Sequence, residues 1–201
     1  MSPRLFRLEW PTMRRKLNNL RASARIEKMS QEFVILVDEN DAELGTMEKM
    51  EAHEKGVLHR AFSVFVFNSN NELMLHRRAD HKYHSGGLWT NTCCSHPRKG
   101  ETALEAGHRR LMEEMGFDCD LSEQFSFIYR SELDNDLTEH ELDHVIFGRY
   151  EGEPNINPEE VAEWKFMSMA NIRADIAAEP TRYTEWFKIV FEEVDKYLKS
   201  A

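Results

Sequence analysis

A short stretch at residues 89–97 brings together side chains that can transfer protons and bind metal. It reads Trp-Thr-Asn-Thr-Cys-Cys-Ser-His-Pro and places the thiol of Cys94 two positions before the imidazole of His96. Arg110 and Glu114 follow on a segment with helical character. Few purely structural segments need a thiol, an imidazole, a guanidinium and a carboxylate within about two dozen residues. The stretch predicts an enzymatic site on a turn that leads directly into a helix.

Three histidines and two carboxylates form a second candidate group. His53, His59 and His96 lie in three different segments, and strand geometry would point Glu139 and Glu141 to the same side. Imidazole nitrogen together with carboxylate oxygen suits a divalent ion such as Mn²⁺, Zn²⁺ or Mg²⁺. The chain has nine histidines, so a chance grouping of surface or core histidines is the alternative. We assign to that alternative His81, His84, His108, His140 and His144.

Strands and helices alternate along the chain and have to position these groups. Residues 102–105, Thr-Ala-Leu-Glu, form a capping box, and the helix that they begin is expected to end at Gly116. The Asn-Ser-Asn-Asn segment at residues 68–71 suits a hairpin turn. The spacing of hydrophobic residues and the local composition predict strands at residues 33–37, 59–67, 73–76, 125–129, 144–150 and 161–167. They also predict helices at residues 170–177 and 182–198. This order predicts an α/β fold in which a mixed sheet is sandwiched between helices.

Length and composition favour one compact domain. The 201 residues are 41% hydrophobic, enough for a substantial core, and the apolar runs are far shorter than the roughly 20 residues that span a bilayer. Two of the three cysteines are adjacent, an arrangement that is poor for disulfides and typical of a reducing compartment. We therefore expect a cytoplasmic protein that does not bind membranes.

Charge is distributed unevenly. Eight of the 26 Lys and Arg but only two of the 36 Asp and Glu lie in residues 1–28, so the rest of the chain is strongly acidic. An acidic body disfavours nucleic acid as a partner. Residues 1–30 are predicted to be a basic extension outside a domain at 31–201; an organelle-targeting presequence is the less favoured alternative.

The predicted helix at residues 102–116 resembles the Nudix box, Gly-x5-Glu-x7-Arg-Glu-U-x-Glu-Glu-x-Gly-U, where U is aliphatic. Glu101 and Arg109 match it, but Ser95 stands at the first glycine and Arg110 replaces the glutamate after the arginine. In hydrolytic relatives that glutamate helps to assemble a metal cluster, so its replacement weakens a hydrolase interpretation. Arg110 could instead bind a diphosphate while a metal bridges phosphate and Glu114, its neighbour one turn along. The alternative for this pair is a plain surface ion pair.

Taken with the other motifs, the chain closely resembles the type I isopentenyl diphosphate isomerases from about residue 33 to residue 198. The motifs are at residues 48–53, 58–63, 77–79, 87–91, 94–97 and 139–141. The resemblance implies a Nudix-like fold and the reversible conversion of isopentenyl diphosphate to dimethylallyl diphosphate. That reaction adds a proton on one side of a five-carbon unit and removes one from the other side, so it needs two opposed groups.

The resemblance also implies roles for particular residues. Cys94 matches the family's cysteine, here assigned to proton removal, and Glu141 with Tyr129 matches the side assigned to alkene protonation. A divalent ion, Mn²⁺, Zn²⁺ or Mg²⁺, would be held by His53, His59, His96, Glu139 and Glu141, and a second ion, Mg²⁺, would bridge Glu114 and the diphosphate. The residues that match substrate-binding positions are Lys49, Arg78, Lys82, Arg110 and Trp186; the indole of Trp186 would face the carbocation.

Two other functions compete with this prediction. A Nudix pyrophosphohydrolase would account for the helix but not for Cys94, the histidines or Arg110. A non-enzymatic diphosphate-binding module would bind the ligand without turnover. We expect a monomer that acts on a small diphosphate substrate.

Overall fold

The computed structural model describes residues 32–82, 84–133 and 136–200. The predicted basic extension at residues 1–30 lies outside them, and the domain boundary near residue 30 stays a prediction. The strands are β1 (Phe33–Val37), β2 (Glu43–Glu48), β3 (His59–Phe67), β4 (Glu72–Arg78), β5 (Trp89–Thr90), β6 (Cys93–Ser95), β7 (Leu121–Glu132), β8 (Thr138–Arg149) and β9 (Val161–Ser168). The helices are α1 (Lys49–Lys55), α2 (Ala103–Met115), α3 (Met169–Ala178) and α4 (Glu185–Ser200), with a 3₁₀ turn at Pro180–Arg182.

Strand β3 is the centre of a nine-stranded mixed sheet. It pairs in parallel with β8 over its whole length, from His59 opposite Glu141 to Phe67 opposite Arg149. Its other partners, β1, β4 and β6, are antiparallel. The mixed sheet predicted from the sequence is confirmed.

Alternate residues of β3 point to opposite faces of the sheet and enter two separate parts of the core. Phe65 packs with Phe187 and other residues of α4 on one face. Val64 packs with Leu111 of α2 on the other. Both faces are therefore covered by helices, and the apolar run of β3 is explained by its burial on both sides.

Helix α2 is bounded as its sequence predicts. The Thr102 side chain accepts a hydrogen bond from the Glu105 amide, and the Glu105 carboxylate accepts one from the Thr102 amide. Gly116 ends the helix in the left-handed conformation at φ 69°. A Cβ at this position would lie 2.2 Å from the carbonyl oxygen of Asn155, so only glycine fits.

Several boundaries differ from the sequence prediction. Strand β8 begins at Thr138, not at residue 144, and β7 is longer at both ends than residues 125–129. The last helix begins at Glu185, because Pro180–Arg182 form a 3₁₀ turn. Helix α1 and the short strands β2, β5 and β6 were not predicted. Among the helices of the described residues, none combines the length and apolar character needed to cross a bilayer.

Candidate active site

A cavity opens beside β3 where β4, β6 and β8 meet helices α1, α2 and α4. Cys94 and Glu141 both line it, which is the arrangement that the predicted reaction requires. Its walls contain one group made mainly of histidines and carboxylates and another made mainly of cations. We call these the imidazole end (His53, His59, His96, Cys94, Tyr129, Glu139 and Glu141) and the cation end (Lys49, Arg78, Lys82, Arg110 and Glu114).

Four potential metal ligands cluster at the imidazole end. One donor atom from each of His53, His59, His96 and Glu141 lies within 4.8 Å of all the others. The pairing of β3 with β8 places His59 directly opposite Glu141, and His96 follows β6, which pairs with β3. His53 comes from α1 and is 3% exposed. Strand register thus brings together residues from distant parts of the sequence.

The hydrogen bonds of these imidazoles suit a metal site. Nδ1 of His53 donates to the Lys49 carbonyl oxygen at 2.7 Å, and Nδ1 of His59 donates to that of Val57 at 2.8 Å. Their Nε2 lone pairs are therefore left for the centre of the cluster, as in many metal sites. Nε2 of His96 lies 3.2 Å from Nε2 of His59. Because a divalent cation satisfies all of these donor atoms at once, the residues fit such an ion.

The electrostatics of the cluster favour neutral imidazoles at His53 and His96 and an ionised carboxylate at Glu141. Burial lowers the pKa of His96 to about 3 and also lowers the pKa of His53. Burial opposes ionisation of Glu141, but the imidazoles of His59 and His96 outweigh it and hold the pKa of Glu141 well below its usual range. Neutral nitrogen and anionic oxygen are the forms that bind metal.

Tyr129 connects the two carboxyl groups of β8. Its hydroxyl lies 2.7 Å from Oε2 of Glu141, to which it donates, and 3.2 Å from Oε2 of Glu139. Burial and the charge of Glu141 raise the pKa of Glu139 well above its usual value, and burial does the same to the pKa of Tyr129. These shifts favour the protonated forms of Glu139 and Tyr129 and the ionised form of Glu141. Glu139 was predicted as a metal ligand; it lines the cavity but lies outside the four-residue cluster.

Cys94 approaches the cavity from β6, where it pairs with Ser63 of β3. Burial raises the pKa of its thiol to about 12, and the charge of Arg78 opposes that shift. The thiol is therefore protonated at neutral pH in the substrate-free protein. Cys93 points away from this surface into the core and is fully buried, as expected from the alternation along a strand.

The cation end holds side chains from four separate elements. The guanidinium of Arg110 forms hydrogen bonds of 3.0 and 2.6 Å with Oε1 of Glu114, and Glu114 is 4% exposed. The carboxylate of this pair is therefore buried and the guanidinium is half-buried, so the two do not form a fully exposed surface ion pair. Nε of Arg78 is also buried and has no hydrogen-bond partner. A buried cationic N–H without a partner favours an anionic ligand at this end.

Trp186 forms a wall of the cavity. Its indole N–H donates to Oγ1 of Thr90 at 3.1 Å, which fixes the plane of the ring. The guanidinium of Arg78 lies 5.1 Å from the ring centroid, and the imidazole of His84 meets the ring edge to face at 5.6 Å. The tryptophan thus touches the cation end directly.

Comparison with known proteins identifies the family. The NUDIX domain family matches residues 57–187. An isopentenyl-diphosphate Delta-isomerase of Pectobacterium atrosepticum is 52% identical over 164 residues, which are 82% of this chain and 92% of the relative. An isopentenyl-diphosphate Delta-isomerase 2 of Aromatoleum aromaticum is 50% identical, covering 82% of this chain and 87% of the relative. This chain belongs to the isopentenyl-diphosphate Delta-isomerase family.

Solved structures support the fold of this family member. One protein of Deinococcus radiodurans superposes with a TM-score of 0.65 at 22% identity, covering 79% of this chain and 97% of the other. A MutT protein of Methanosarcina mazei superposes with a TM-score of 0.58 at 19% identity, covering 71% of this chain and 96% of the other. At these identities the likeness shows a shared Nudix fold, as the sequence predicted.

The structure brings the predicted site residues of this isomerase-family chain to one place. His59 is buried within the cluster of potential metal ligands, and the others line the cavity, namely Lys49, His53, Arg78, Lys82, Cys94, His96, Arg110, Glu114, Tyr129, Glu139, Glu141 and Trp186. Their individual roles stay predictions.

Sequence reasoning gave no role to six other residues that line the cavity, among them Ser63, His76, His84 and Glu160. His84 was assigned to the surface or core, but its ring faces Trp186. His76 follows the apolar part of β4 and was taken only as part of that strand. Glu160 lies in an acidic, proline-containing segment, 153–160, that resembles an ordinary surface loop. No local pattern distinguishes these residues, because tertiary contacts alone bring them to the cavity.

Proposed function

We propose that this protein interconverts isopentenyl diphosphate and dimethylallyl diphosphate. The observation that carries the proposal is the shared cavity of Cys94 and Glu141, with a group of cations lining the same cavity. A five-carbon diphosphate has the same division into an apolar tail and a charged head. The names of the relatives point to the same reaction.

The cations at one end bind the head group. Lys49, Arg78, Lys82 and Arg110 surround the space, and Arg78 has an N–H available for a phosphate oxygen. Glu114 would hold a Mg²⁺ ion together with that head group, since hard cations favour carboxylate and phosphate oxygens. Fixing the head group positions the tail between the thiol and the carboxyl groups.

The chemistry of the tail is a proton transfer at each end of an allylic unit. Protonation of the terminal alkene carbon produces a tertiary carbocation, and loss of a proton from the neighbouring carbon on the other side completes the isomerisation. We assign protonation to the Glu141 and Tyr129 side, where the Tyr129 hydroxyl is within hydrogen-bond distance of both carboxyl groups and burial raises the pKa of Glu139. Cys94 accepts the proton that leaves, which requires its thiol to ionise first. Arg78, whose charge lowers the pKa of Cys94, favours that ionisation.

His53, His59, His96 and Glu141 would hold a divalent ion, Mn²⁺, Zn²⁺ or Mg²⁺, with Glu139 beside them. When bound, such an ion supplies positive charge that tunes the acidity of the carboxyl groups. The imidazoles keep Glu141 in a fixed position beside Tyr129. We also propose that residues 31–201 form the catalytic domain, which acts as a cytoplasmic monomer with no nucleic-acid partner.

The test is incubation of the purified protein with isopentenyl diphosphate and Mg²⁺, followed by separation of the products. We expect dimethylallyl diphosphate and no released phosphate. Phosphate without the allylic isomer would instead identify a Nudix hydrolase and overturn the proposal. Binding without any product would identify a binding module. Arg110 argues against the hydrolase, because a cation stands where hydrolytic relatives have a metal-binding glutamate.

A further inference from the structure

Glu160 is an acidic residue at the cation end that has no role in the function proposed above. It precedes β9, and its carboxylate lines the cavity. Oε2 of Glu160 lies 2.6 Å from Nζ of Lys82 and 3.6 Å from Nη2 of Arg110. One carboxylate oxygen therefore faces two of the cations predicted to bind diphosphate.

The backbone around Glu160 is attached to both elements that carry these cations. The Ala79 amide donates to the Glu160 carbonyl oxygen at 2.9 Å, which fixes it to the turn of Lys82. The Glu160 amide donates to the Asn157 carbonyl oxygen at 2.9 Å, and the Asn157 amide donates to that of Glu114 at 2.8 Å. Glu160 is thus held between the 79–82 turn and the end of helix α2.

The charge of Glu160 is maintained in this position. Burial favours its neutral form, but the hydrogen bond and charge of Lys82, with Arg110 and Arg78, hold its pKa below the usual value. Its neighbour Glu159 differs, because it is 80% exposed and its carboxylate lies 3.5 Å from the exposed imidazole of His81. The two adjacent glutamates provide a matched comparison.

We propose that Glu160 is a positioning residue that holds Lys82 and Arg110 so that both cations face the same diphosphate. For the identity of the substrate, this inference rests on the proposed function. A lysine side chain has several rotatable bonds, and an unrestrained one loses that freedom when it binds phosphate. The ion pair with Glu160 removes part of that cost before the substrate arrives.

The first test compares Glu160→Gln with Glu159→Gln. We expect Glu160→Gln to raise KM for isopentenyl diphosphate about tenfold, in the middle of the range found for coupled neighbours, with kcat changed less than about threefold. Glu159→Gln should leave both constants unchanged. A lower or unchanged KM in Glu160→Gln would overturn the proposal, because Glu160 would then repel the substrate or be irrelevant to it.

The second test asks whether Glu160 acts through Lys82. Lys82→Met alone should raise KM, and adding Glu160→Gln to it should raise KM by much less than Glu160→Gln does in the wild type. Independent, additive effects in this double-mutant cycle would contradict a positioning role. Glu160→Asp, which keeps the charge, should retain part of the affinity that Glu160→Gln loses. Equal losses of affinity in the two variants would also contradict the positioning role.

A binding measurement separates this inference from the proposed reaction. Inorganic pyrophosphate with Mg²⁺ is titrated into each folded variant by calorimetry, which needs no turnover. We expect Glu160→Gln to weaken binding about tenfold, as for KM, and Glu159→Gln to have no effect. If the wild type makes no allylic isomer, the proposed function fails, but these dissociation constants still decide the role of Glu160. Equal constants for wild type and Glu160→Gln would overturn it.

Discussion

The two ends of the cavity are built in different ways. At the imidazole end, His59, Cys94 and Glu141 lie on β3, β6 and β8, which are hydrogen-bonded neighbours in one sheet. At the cation end, Lys82 and Arg110 come from a turn and a helix, and side-chain ion pairs position them. The side chain of His59 is fully buried, whereas those of Lys82 and Arg110 are 22% and 19% exposed.

This difference suits the imidazole end to proton transfer and the cation end to binding the substrate. Strand pairing fixes the imidazole end to the precision that proton transfer needs, and burial strengthens its electrostatic interactions. Long side chains at the cation end can adjust to a mobile head group while remaining partly hydrated. Substitutions at the imidazole end should therefore lower kcat, and substitutions at the cation end should raise KM.

The largest effect is expected for Cys94→Ala. Removing the thiol removes one of the two groups that exchange protons with the substrate, so kcat should fall about 10³-fold, within the range for general acid–base groups. KM should change little. Cys119→Ala, at a half-buried cysteine remote from the cavity, is the control. Activity near the wild-type level in Cys94→Ala would remove the thiol from the mechanism.

Removal of metal should have the next largest effect. Treatment with a chelator should abolish most of kcat, and Mn²⁺, Zn²⁺ or Mg²⁺ should restore it. The melting temperature should also fall, because an ion that binds only the folded protein stabilises it. His53→Ala should lose this metal-dependent stabilisation, whereas His108→Ala, at a half-exposed site paired with Asp118, should keep it. A chelator-treated protein with full activity and unchanged melting would contradict the metal assignment.

Arg78→Met should be an exception to this division, because it should change both KM and kcat. Arg78 lines the cavity as part of the cation end, and its charge also lowers the pKa of Cys94. We expect KM to rise on the order of 30-fold and kcat to fall about tenfold, because a buried charged hydrogen bond is lost and the thiol becomes harder to ionise. The control is Arg77→Met, whose guanidinium pairs with Asp80 at 2.6 Å and with Glu163. An effect on KM alone would show that the two ends act independently.

Trp186→Phe should have the smallest effect. It keeps an aromatic wall but loses the hydrogen bond to Thr90 and the stronger π face of indole. We expect kcat to fall about threefold to tenfold, an amount consistent with cation–π energies of about 1 kcal/mol. Trp164→Phe, on the opposite face of the sheet, is the control. A change in KM without a change in kcat would place Trp186 in substrate binding only.

Local patterns predicted the elements with strong signals. Helix α2 has a capping box and a terminal glycine, and both ends were correct. Helix α1 has only seven residues and a glutamate at its N-cap, so neither a long periodic pattern nor a favoured cap indicated it. Lys49 and His53 were nevertheless predicted as site residues, because the resemblance to a family does not depend on recognising the helix.

Site residues that lie in sequence motifs could be predicted, whereas those brought to the cavity by tertiary contacts could not. Cys94 and His96 lie in a distinctive turn, and Glu141 lies in a recognisable triplet. Glu160 and His84 face the cavity because the segment before β9 is hydrogen-bonded to α2 through Asn157 and because the ring of His84 packs against Trp186 of α4. The direction of the pKa shifts could not be predicted from the sequence either, since the pKa of Cys94 depends on its burial in the fold.

The parallel pairing of β3 with β8 has a consequence for how the protein is made. His59 and Glu141 are direct partners in that ladder, yet β4 to β7 and α2 separate them along the chain. A slip of one residue would turn Glu141 to the opposite face, so only one register completes the set of ligands. Pairings between such distant segments form slowly. A chain still on the ribosome therefore has no complete ion-binding set until β8 has been synthesised and has docked.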